Sequence, residues 1–329
     1  MLDLVKNKLS LAMLPTPIRY MPNLSKYYGY KIYFKRDDLT GLELTGNKIR
    51  KLEYSFYEAK RQNADSIITC GGIQSNHARA TTILCRRLGL EPYLVLRGSE
   101  PQDSYDGNLL LNKFLEAEIF WITPDEYRNS RNQIMEELAD QLMKKGKTPY
   151  IIPEGASNVT GYLGYFNAGL EIQEQEKNEK IQYEYVFCPV GSGGTLGGLY
   201  LAKLIANWER KIIGVNVCDT AEFFQEKIKK TIDEFSAHHK LNIQITPKEI
   251  DIVDGFVGPG YAISTEEERK LIKMVARMEG IFLEPVYTGK AFWALDHLLK
   301  NKKIPQDSNI LFIHTGGIFG LFPQKETFF

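Results

Sequence analysis

The sequence predicts an α/β protein built on parallel β-sheets. Short apolar runs of strand length alternate with longer segments of helical periodicity through most of the 329 residues. Strands separated by helices of this length are joined by right-handed crossovers, which makes the connected strands parallel. Polar, glycine-rich loops directly follow three of the strands, at residues 71–77, 191–195 and 315–317. Because the carboxyl ends of parallel strands meet at one edge of a sheet, we expect these loops to line one crevice.

The predicted elements fall into two sets that separate near residue 158. In the first set, we predict strands at 66–70, 93–97, 118–122 and 150–153, with helices at 76–88, 107–115 and 126–145. In the second set, we predict strands at 185–190, 212–217, 250–253 and 309–313, with helices at 160–176, 195–207, 220–236, 265–278 and 289–299. Thr160 is the predicted N-cap of the first of these helices, and the polar stretch 173–182 is predicted to be a solvated connection.

The composition is that of an ordinary globular protein, and it argues against several classes of partner. Basic and acidic residues number 41 each, so the net charge favours neither a nucleic-acid partner nor an anionic membrane surface. We expect no membrane span and no secretory signal, because no apolar run is long enough for either. The cysteines form no C-x-x-C pair, which predicts free thiols in a reducing cytoplasm: Cys70, Cys85, Cys188 and Cys218. Four histidines lack metal-ligand spacing, so we predict no catalytic metal: His238, His239, His297 and His314.

Residues 45–53, Thr-Gly-Asn-Lys-Ile-Arg-Lys-Leu-Glu, place a lysine at the start of a helix. Thr45 is the predicted N-cap, and apolar residues recur after it at helical spacing, so Lys48 falls in the first turn. A cation there opposes the helix dipole, which favours the neutral amine that imine formation needs. Taken alone, the segment somewhat favours a solvated basic face made of Lys48, Arg50 and Lys51.

The loop Gly-Ser-Gly-Gly-Thr at 191–195 opens a predicted helix directly after a strand. Backbone N–H groups at a helix N-terminus form an anion site, and the two hydroxyls add donors. The dinucleotide fingerprint fails because Leu196 occupies the place of its third glycine, and the P-loop fails because no Gly-Lys-Ser/Thr follows. A cup for a single phosphate remains. The simpler interpretation, a tight strand–helix turn, explains so many glycines poorly.

Residues 71–77, Gly-Gly-Ile-Gln-Ser-Asn-His, supply small polar groups opposite the lysine. Ser75 is a candidate nucleophile or carboxylate-binding hydroxyl, and Asn76 can bond a cofactor phenolate. His77 is a candidate base, although a lone histidine near a helix start is more often structural. No Ser-His-Asp constellation and no G-x-S-x-G motif can be assembled. A lysine that forms an imine, opposite such a loop and a phosphate cup, is what an aldehyde cofactor such as pyridoxal phosphate (PLP) requires.

Six motifs in order resemble those of one enzyme family. They are Lys-Arg-Asp-Asp-Leu (35–39), Gly-Asn-Lys-x-Arg-Lys-Leu-Glu (46–53), Gly-Gly-Ile-Gln-Ser-Asn-His (71–77), the glycine cup (191–195), Pro-Val-Tyr-Thr-Gly-Lys (285–290) and His-Thr-Gly-Gly (314–317). Through them, residues 10–325 resemble the family of 1-aminocyclopropane-1-carboxylate (ACC) deaminase and D-cysteine desulfhydrase, PLP enzymes similar to tryptophan synthase β.

The resemblance implies a two-domain, three-layer parallel-sheet fold, the fold type II of PLP enzymes. The large PLP-binding domain would comprise residues 1–49 and 159–329, and a small domain of residues 50–158 would be inserted in it, with the active site in the cleft between them. The resemblance also implies that Lys48 carries PLP as an imine and that Asn76 lies at the ring hydroxyl oxygen.

Further roles follow from the same resemblance. The implied catalytic residues are Lys48, Ser75, Tyr261 and Tyr287. The implied cofactor-binding residues are Lys48, Asn76, Gly191, Ser192, Gly193, Gly194, Thr195, Thr288 and Thr315. The implied substrate-binding residues are Ser75, Asn76, His77, Gly155, Tyr287 and Thr315.

Two positions divide this family. Deaminases proper resemble Val-Tyr-Glu-Gly and His-Leu-Gly-Gly where this chain has Thr288 and Thr315, and threonine at both positions resembles D-cysteine desulfhydrase. A carboxylate beside the pyridine nitrogen keeps the ring a strong electron sink, whereas Thr288 offers only a neutral hydrogen bond. A weaker sink suffices to expel sulfide but helps less in opening a cyclopropane ring. We therefore expect a lyase that converts D-cysteine, or a related β-substituted amino acid, to pyruvate, hydrogen sulfide and ammonia.

Other functions stay open from the sequence. The first alternative is ACC deamination to 2-oxobutyrate and ammonia, and the second is a PLP carrier or amino-acid-binding protein without turnover. A nicotinamide-dependent oxidoreductase shares the α/β layout but fails at the glycine spacing. The expected partner is a small amino-acid substrate, and the family suggests a homodimer.

Overall fold

The computed structural model describes residues 2–329, and within them it contains two β-sheets with helices around both. The strands are β1 (Ile18–Tyr20), β2 (Lys31–Lys35), β3 (Ser66–Gly72), β4 (Glu91–Arg97), β5 (Glu118–Ile122), β6 (Pro149–Ile152), β7 (Tyr185–Val190), β8 (Lys211–Asn216), β9 (Ile252–Val253) and β10 (Asn309–Ile313). The helices are α1 (Leu2–Lys6), α2 (Pro22–Tyr28), α3 (Lys48–Arg61), α4 (Asn76–Leu88), α5 (Gly107–Phe114), α6 (Pro124–Asn129), α7 (Arg131–Lys144), α8 (Val159–Glu179), α9 (Gly194–Ile205), α10 (Ala221–His238), α11 (Glu266–Glu279) and α12 (Thr288–Lys300).

The larger sheet has the strand order β1-β2-β10-β7-β8-β9 and is parallel except for the β1–β2 pair. Successive residues of β10 enter opposite cores, because side chains alternate across a strand. Ile310 and Phe312 pack with α11 and α12, whereas Leu311 and Ile313 pack with α8, α9 and α10. Helices therefore cover both faces of the sheet, which is the three-layer arrangement that a buried parallel sheet requires.

The smaller sheet has the order β5-β4-β3-β6, and all its strands are parallel. Ile67 of β3 packs with α3 and α4, and the next residue, Ile68, packs with α7 on the other side. The predicted three-layer α/β fold with parallel sheets is thus confirmed. All strands of the smaller sheet lie between residues 66 and 152. The proposed domain bounds, 50–158 for the inserted domain, stay a prediction.

The sequence pattern missed the first two strands. β2 lies in the larger sheet between β1 and β10, yet it reads Lys-Ile-Tyr-Phe-Lys, and the lysines at its ends hide the apolar run. Lys35 is nevertheless buried, because its ammonium pairs with Glu171 at 2.5 Å and donates to the Thr16 carbonyl. Burial of a cation through such partners leaves no trace in the hydropathy of the strand itself.

The single helix predicted at 126–145 is wrong, since the structure has α6 and α7 with a break at Ser130. A capping box made by Thr123 and Glu126 starts α6 earlier than predicted. Arg131 then donates to the Tyr127 carbonyl at 2.8 Å across the break.

Two predictions about α8 are also wrong. Its N-cap is Asn158 instead of Thr160, because the Asn158 carboxamide accepts a hydrogen bond from the Gly161 N–H at 3.0 Å. The polar stretch 173–182 is largely helical and only partly solvated. Glu176 within it is buried, where it accepts hydrogen bonds from Trp208 and Arg210.

The helix that carries the lysine starts at Lys48, without the predicted Thr45 cap. The Thr45 hydroxyl donates to the Asp38 carbonyl at 2.6 Å instead. The alternative of a solvated basic face is wrong as well. Arg50 is 1% exposed and donates to the carboxylates of Asp37 and Glu171, and Lys51 is fully buried.

Two further features bear on what the fold can host. The cysteines are free thiols, and all but one of them are buried. No helix within residues 2–329 is both long enough and apolar enough to cross a membrane.

Candidate active site

A cavity lies at the carboxyl ends of β3, β7 and β10, and the three glycine-rich loops line it together. Its inner part is enclosed by Asn47, Lys48, Asn76, Pro189, Gly191, Ser192, Gly193, Gly194, Thr195, Tyr287 and Thr315. Its outer part has a volume of about 550 Å³ and also contains Ser75, His77, Gly155 and Tyr261 in its wall. Lys48 and Tyr287 belong to both parts. The crevice predicted from the positions of the loops is therefore present.

Lys48 stands at the junction of the two parts. Its ammonium lies 5.7 Å from the ring centroid of Tyr287, and among residues 2–329 it has no hydrogen-bonding acceptor and no ion-pair partner. Desolvation lowers the pKa of Lys48 to about 8, against the opposing charges of Glu154 and Glu284. A substantial fraction of this lysine is thus a neutral amine near neutral pH, which is the form that attacks an aldehyde.

A close approach between two loops fixes the start of α3. Gly46 has a φ of +108°, and a Cβ at this position would lie 2.7 Å from the Thr315 carbonyl oxygen. The Asn47 N–H donates to that same oxygen at 3.1 Å. Only glycine combines this backbone conformation with this contact. The loop after β10 therefore holds Lys48 in place through backbone groups.

The glycine cup has the geometry of an anion site. Gly193 precedes α9 with a φ of +91°, and the first two residues of α9, Gly194 and Thr195, line the inner part of the cavity. The Gly194 N–H donates to the Ser157 hydroxyl at 3.1 Å, and this hydroxyl lies 2.7 Å from that of Ser192. The Thr195 hydroxyl accepts from the Asn47 carboxamide at 2.9 Å.

A second lysine lies beside this cup. A Cβ at Gly194 would lie 2.8 Å from Nζ of Lys51, and this ammonium donates to the Gly155 carbonyl. Burial, together with the Lys48 and Lys227 cations, lowers the pKa of Lys51 well below its ordinary value. An anion in the cup would offset this penalty, because it would supply the missing opposite charge. Lys51 therefore lies on the side of the cavity that suits the phosphate.

The Ser75 segment presents one hydroxyl and one amide to the cavity. Ser75 caps α4, its hydroxyl accepting from the Ala78 N–H at 3.1 Å, and its own proton stays available for a ligand. The Asn76 carboxamide oxygen accepts from Nδ2 of Asn108 at 3.1 Å. This bond leaves the Asn76 NH2 group as the donor that faces the inner part of the cavity. Asn108 thus sets the orientation of Asn76.

His77 is held as a neutral structural imidazole. Its Nε2 lies 2.8 Å from the Thr69 hydroxyl, which itself donates to the Ile152 carbonyl at 2.7 Å. Nε2 must therefore be the donor to Thr69. Burial lowers the pKa of His77 well below its ordinary value. This geometry supports the structural interpretation of His77 over that of a base.

The two predicted tyrosines form a pair. The hydroxyls of Tyr261 and Tyr287 are hydrogen-bonded to each other, and their rings are 5.8 Å apart at 76°. Burial raises the pKa of both phenols, so both are neutral proton donors near neutral pH. Tyr287 lies beside Lys48 and Tyr261 lies toward the outer part, so the pair spans the cavity.

The two threonines differ in their positions. Thr315 belongs to the wall of the inner part, but Thr288 lies outside the residues that line either part. The Thr288 hydroxyl accepts from the Glu284 N–H at 2.8 Å, and the Glu284 carboxylate accepts from the N–H groups of Val286, Tyr287 and Thr288. Burial raises the pKa of Glu284 to about 7. A cofactor contact of Thr288 therefore stays a prediction.

The residues on the wall fit PLP. The glycine cup, in which a Cβ would collide, and the Lys51 ammonium suit its phosphate, and the half-buried Lys48 amine suits its aldehyde. The oriented NH2 group of Asn76 suits its ring hydroxyl oxygen. Within residues 2–329, no group of three or more His, Cys, Asp or Glu residues is placed to hold a metal ion.

Sequence reasoning missed several residues of this site. Asn47 and Lys51 flank Lys48 within one motif, so the spacing of the motif was the signal that could have identified them. Ser157 and Asn108 carried no such signal, because tertiary contacts alone bring them to the cup and to Asn76.

Comparisons with known proteins identify the family of this chain. The profile of a family described as pyridoxal-phosphate dependent enzyme matches residues 9–316. A Thermotoga maritima protein named putative 1-aminocyclopropane-1-carboxylate deaminase is 44% identical over 97% of this chain and 99% of its own length. An Arabidopsis thaliana mitochondrial bifunctional D-cysteine desulfhydrase/ACC deaminase is 38% identical over 96% of this chain and 80% of its own.

A solved structure leads to the same family. It is described as an ACC deaminase homologue and has a TM-score of 0.90 and 37% identity, covering 99% of this chain and 97% of that one. The two-sheet fold is thus that of a recognised group of enzymes. The chain belongs to the pyridoxal-phosphate-dependent enzymes, in the family of the ACC deaminases and D-cysteine desulfhydrases, and its cofactor is PLP.

Proposed function

We propose that this enzyme catalyses the α,β-elimination of D-cysteine, or of a related β-substituted amino acid, to pyruvate, hydrogen sulfide and ammonia. One observation carries the proposal: the inner part of the cavity has amides, hydroxyls and a lysine in its wall but no carboxylate. Glu284 precedes the wall residue Tyr287 closely in the chain, but its carboxylate already accepts hydrogen bonds from three backbone N–H groups. Without a carboxylate at the pyridine nitrogen, the cofactor favours reactions that have a good leaving group.

When bound, PLP supplies an electron sink for the pair released at the α-carbon. The protein's own residues supply the binding and the proton transfers. The free proton of the Ser75 hydroxyl is available for the substrate carboxylate. Lys48, whose pKa is lowered to about 8 by burial, takes up the α-proton as a neutral amine. The hydrogen-bonded phenols of Tyr261 and Tyr287 stay protonated, and the one hydroxyl proton that their mutual bond leaves free is available to the departing sulfur.

The second candidate is ACC deamination to 2-oxobutyrate and ammonia. It is favoured by the name of the Thermotoga maritima relative and by the bifunctional name of the plant relative. Both reactions use the same lysine and the same carboxylate-binding hydroxyl. They differ in the bond that breaks, which is a bond to sulfur in one and a ring carbon–carbon bond in the other.

Steady-state kinetics on D-cysteine, L-cysteine and ACC with one PLP-loaded preparation distinguishes the two candidates. We expect sulfide and pyruvate from D-cysteine at a higher kcat/KM than 2-oxobutyrate from ACC. Release of 2-oxobutyrate together with inert D-cysteine would reverse the assignment. If the PLP-loaded protein turns over none of these three amino acids, it is a PLP carrier or an amino-acid-binding protein instead of an enzyme.

Thr315→Leu tests the wall residue that separates the two activities. Removal of the hydroxyl from the wall should lower the ratio of kcat/KM for D-cysteine to that for ACC about tenfold, since one hydrogen bond to a charged group contributes about that factor. Thr288→Glu is the companion variant, and its position off the wall predicts a smaller change in that ratio.

A further inference from the structure

The outer part of the cavity is rich in cations that the elimination of cysteine does not use. Arg97, Arg128, Arg131 and Lys227 lie in its wall, against the two carboxylates of Glu154 and Asp219. This part measures about 550 Å³, and cysteine adds only a methylene and a sulfur beyond its α-carbon. Both the excess positive charge and the free space point to a larger, acidic ligand.

Arg97 differs from the other cations because it is fixed and yet unpaired. It is the last residue of β4, where it lies in register with Gly72 at the end of β3. Its guanidinium carbon lies 5.0 Å from the ring centroid of Tyr261 and 5.2 Å from that of Tyr127. Among residues 2–329, no carboxylate or carbonyl accepts a hydrogen bond from it. A half-buried guanidinium with no acceptor of its own is suited to binding an anionic ligand.

Arg131 provides the contrast. Its guanidinium lies 5.1 Å from the centroid of the same Tyr127 ring. It is already engaged, because it donates to the Tyr127 carbonyl at 2.8 Å and lies 3.6 Å from the Glu154 carboxylate. Of the two arginines that share one aromatic ring, Arg131 has committed part of its N–H groups to the protein, whereas Arg97 donates none of its own to a carboxylate or carbonyl among residues 2–329.

The position of Arg97 relative to the reacting groups indicates which part of the substrate it would contact. Arg97 contacts Tyr261, which is hydrogen-bonded to Tyr287, and Tyr287 lies next to Lys48. If the substrate amino group lies at Lys48 and its carboxylate at Ser75, the side chain is left to extend along the tyrosine pair toward Arg97. This step rests on the proposed function.

We propose that Arg97 binds an acidic group on the β-substituent of the substrate, so that the enzyme accepts amino acids such as O-phosphoserine. In this reaction the Cα–H and Cβ–O bonds break, Lys48 takes the proton, and phosphate leaves with the electron pair of the Cβ–O bond. One water then converts the released enamine to pyruvate and ammonia. No oxidant or reductant is needed.

The experiment compares matched substrates on the PLP-loaded enzyme. The ratio of kcat/KM for O-phosphoserine to that for serine is measured with both enantiomers of each. We expect this ratio to exceed ten in the wild type and to fall at least about tenfold in Arg97→Gln, since a charge-assisted contact contributes about that factor or more. Arg97→Lys should retain part of the preference, and the control Arg131→Gln should keep the ratio within about threefold of the wild type.

A ratio measured within one preparation does not depend on the amount of folded protein, so a poorly folding variant still gives a valid result. A binding readout without turnover uses cysteate and alanine, whose dissociation constants are obtained from the absorbance of the cofactor. Cysteate should bind more tightly than alanine in the wild type, and Arg97→Gln should remove the difference.

Two outcomes would overturn the proposal. One is an unchanged substrate ratio and an unchanged cysteate preference in Arg97→Gln. The other is inhibition by inorganic phosphate that depends on Arg97 without any preference for phosphoserine over serine, which would assign the site to a free anion. The proposed function has its own test. It fails if D-cysteine yields no sulfide, even when the Arg97-dependent preference for phosphoserine is present.

Discussion

At the scale of single residues, the chemistry of this site depends on side chains whose environments differ despite similar sequence surroundings. Lys48 and Lys51 are both lysines of α3, one turn apart. Lys48 has no hydrogen-bond acceptor and no ion-pair partner among residues 2–329, whereas Lys51 donates to the Gly155 carbonyl beside the phosphate cup. Burial lowers the pKa of both, but only Lys48 is open to both parts of the cavity.

The lowered pKa of Lys48 predicts the pH dependence of cofactor attachment. The neutral amine is the nucleophile, so the rate of attachment to cofactor-free protein should rise about tenfold per pH unit below pH 8 and level off above it. Stopped-flow absorbance after mixing with PLP measures this rate. A rate that continues to rise toward pH 10.5, the ordinary value for lysine, would contradict the lowered pKa.

Asn108 predicts a second effect at this scale. Asn108→Leu removes the donor that orients the Asn76 carboxamide, and we expect the affinity for PLP to fall about tenfold. Asn112→Leu is the matched control, because Asn112 is buried on the same helix and, among residues 2–329, its carboxamide hydrogen-bonds to no residue, Asn76 included. Fluorescence titration with PLP compares the two. Equal losses would show that the effect comes from helix α5 and not from the Asn76 contact.

At the scale of elements, α12 holds the loop that carries Tyr261. The Lys290 ammonium is fully buried and donates to the carbonyls of Val257 and Ile263, at 2.5 and 2.9 Å. It also lies 3.8 Å from the buried carboxylate of Glu268 on α11, whose pKa is raised to about 8 by burial. One cation thus joins two helices to the loop and positions a tyrosine that it does not touch.

Lys290→Met should release this loop. We expect a loss of about 3 kcal/mol in the free energy of unfolding, because the buried Glu268 loses the cation that lies 3.8 Å from it and the carbonyls of Val257, Gly260 and Ile263 lose their donor. Faster hydrogen exchange in residues 257–263 and a lower kcat/KM should accompany it. Lys300→Met on the same helix removes an ion pair with Asp296 in which the lysine is half-exposed, leaves the loop contacts in place and serves as the control. Unchanged exchange in the loop would refute the positioning role.

At the scale of the whole molecule, the cavity joins elements of both sheets. Loops after β7 and β10 of the larger sheet face the loop after β3 of the smaller one, and α3 lies between them. A ligand that contacts all of them binds the folded chain and not the unfolded one, so it adds to the stability of the whole.

Removal of PLP should therefore lower the midpoint of thermal unfolding. At a PLP concentration about 100-fold above its dissociation constant, the expected stabilisation is about 2.7 kcal/mol, or a few degrees for a chain of this size. Lys48→Ala should retain part of this gain, because the phosphate cup is intact. Differential scanning calorimetry of the cofactor-free and loaded forms tests this, and equal midpoints would contradict a ligand shared between the sheets.

The homodimer that the family suggests also belongs to this scale, and it stays a prediction. We expect light scattering of the loaded enzyme to give twice the mass of the chain. A monomer mass that is stable on concentration would refute it.

The sequence by itself determined the α/β class, most strands and helices, the phosphate cup and the importance of Lys48. These features depend on local periodicity, on glycine spacing and on contiguous motifs, all of which can be read along the chain. It did not show β2, because the partner that allows Lys35 to be buried lies on a distant helix. The break at Ser130 was likewise hidden, because the polar residues on both sides of it fit the pattern of one continuous surface helix.

Only the tertiary structure decided which polar residues meet. Asn108 orients Asn76, Ser157 completes the cup, Lys290 holds the Tyr261 loop, and Arg97 is left without an acceptor. The three hydrogen bonds named join residues 32, 37 and 33 positions apart. Hydrogen bonds and burial depend on distance in space and not on separation along the chain. The local sequence could therefore identify the lysine that holds the cofactor, whereas the packing of the two sheets determined the pocket around it.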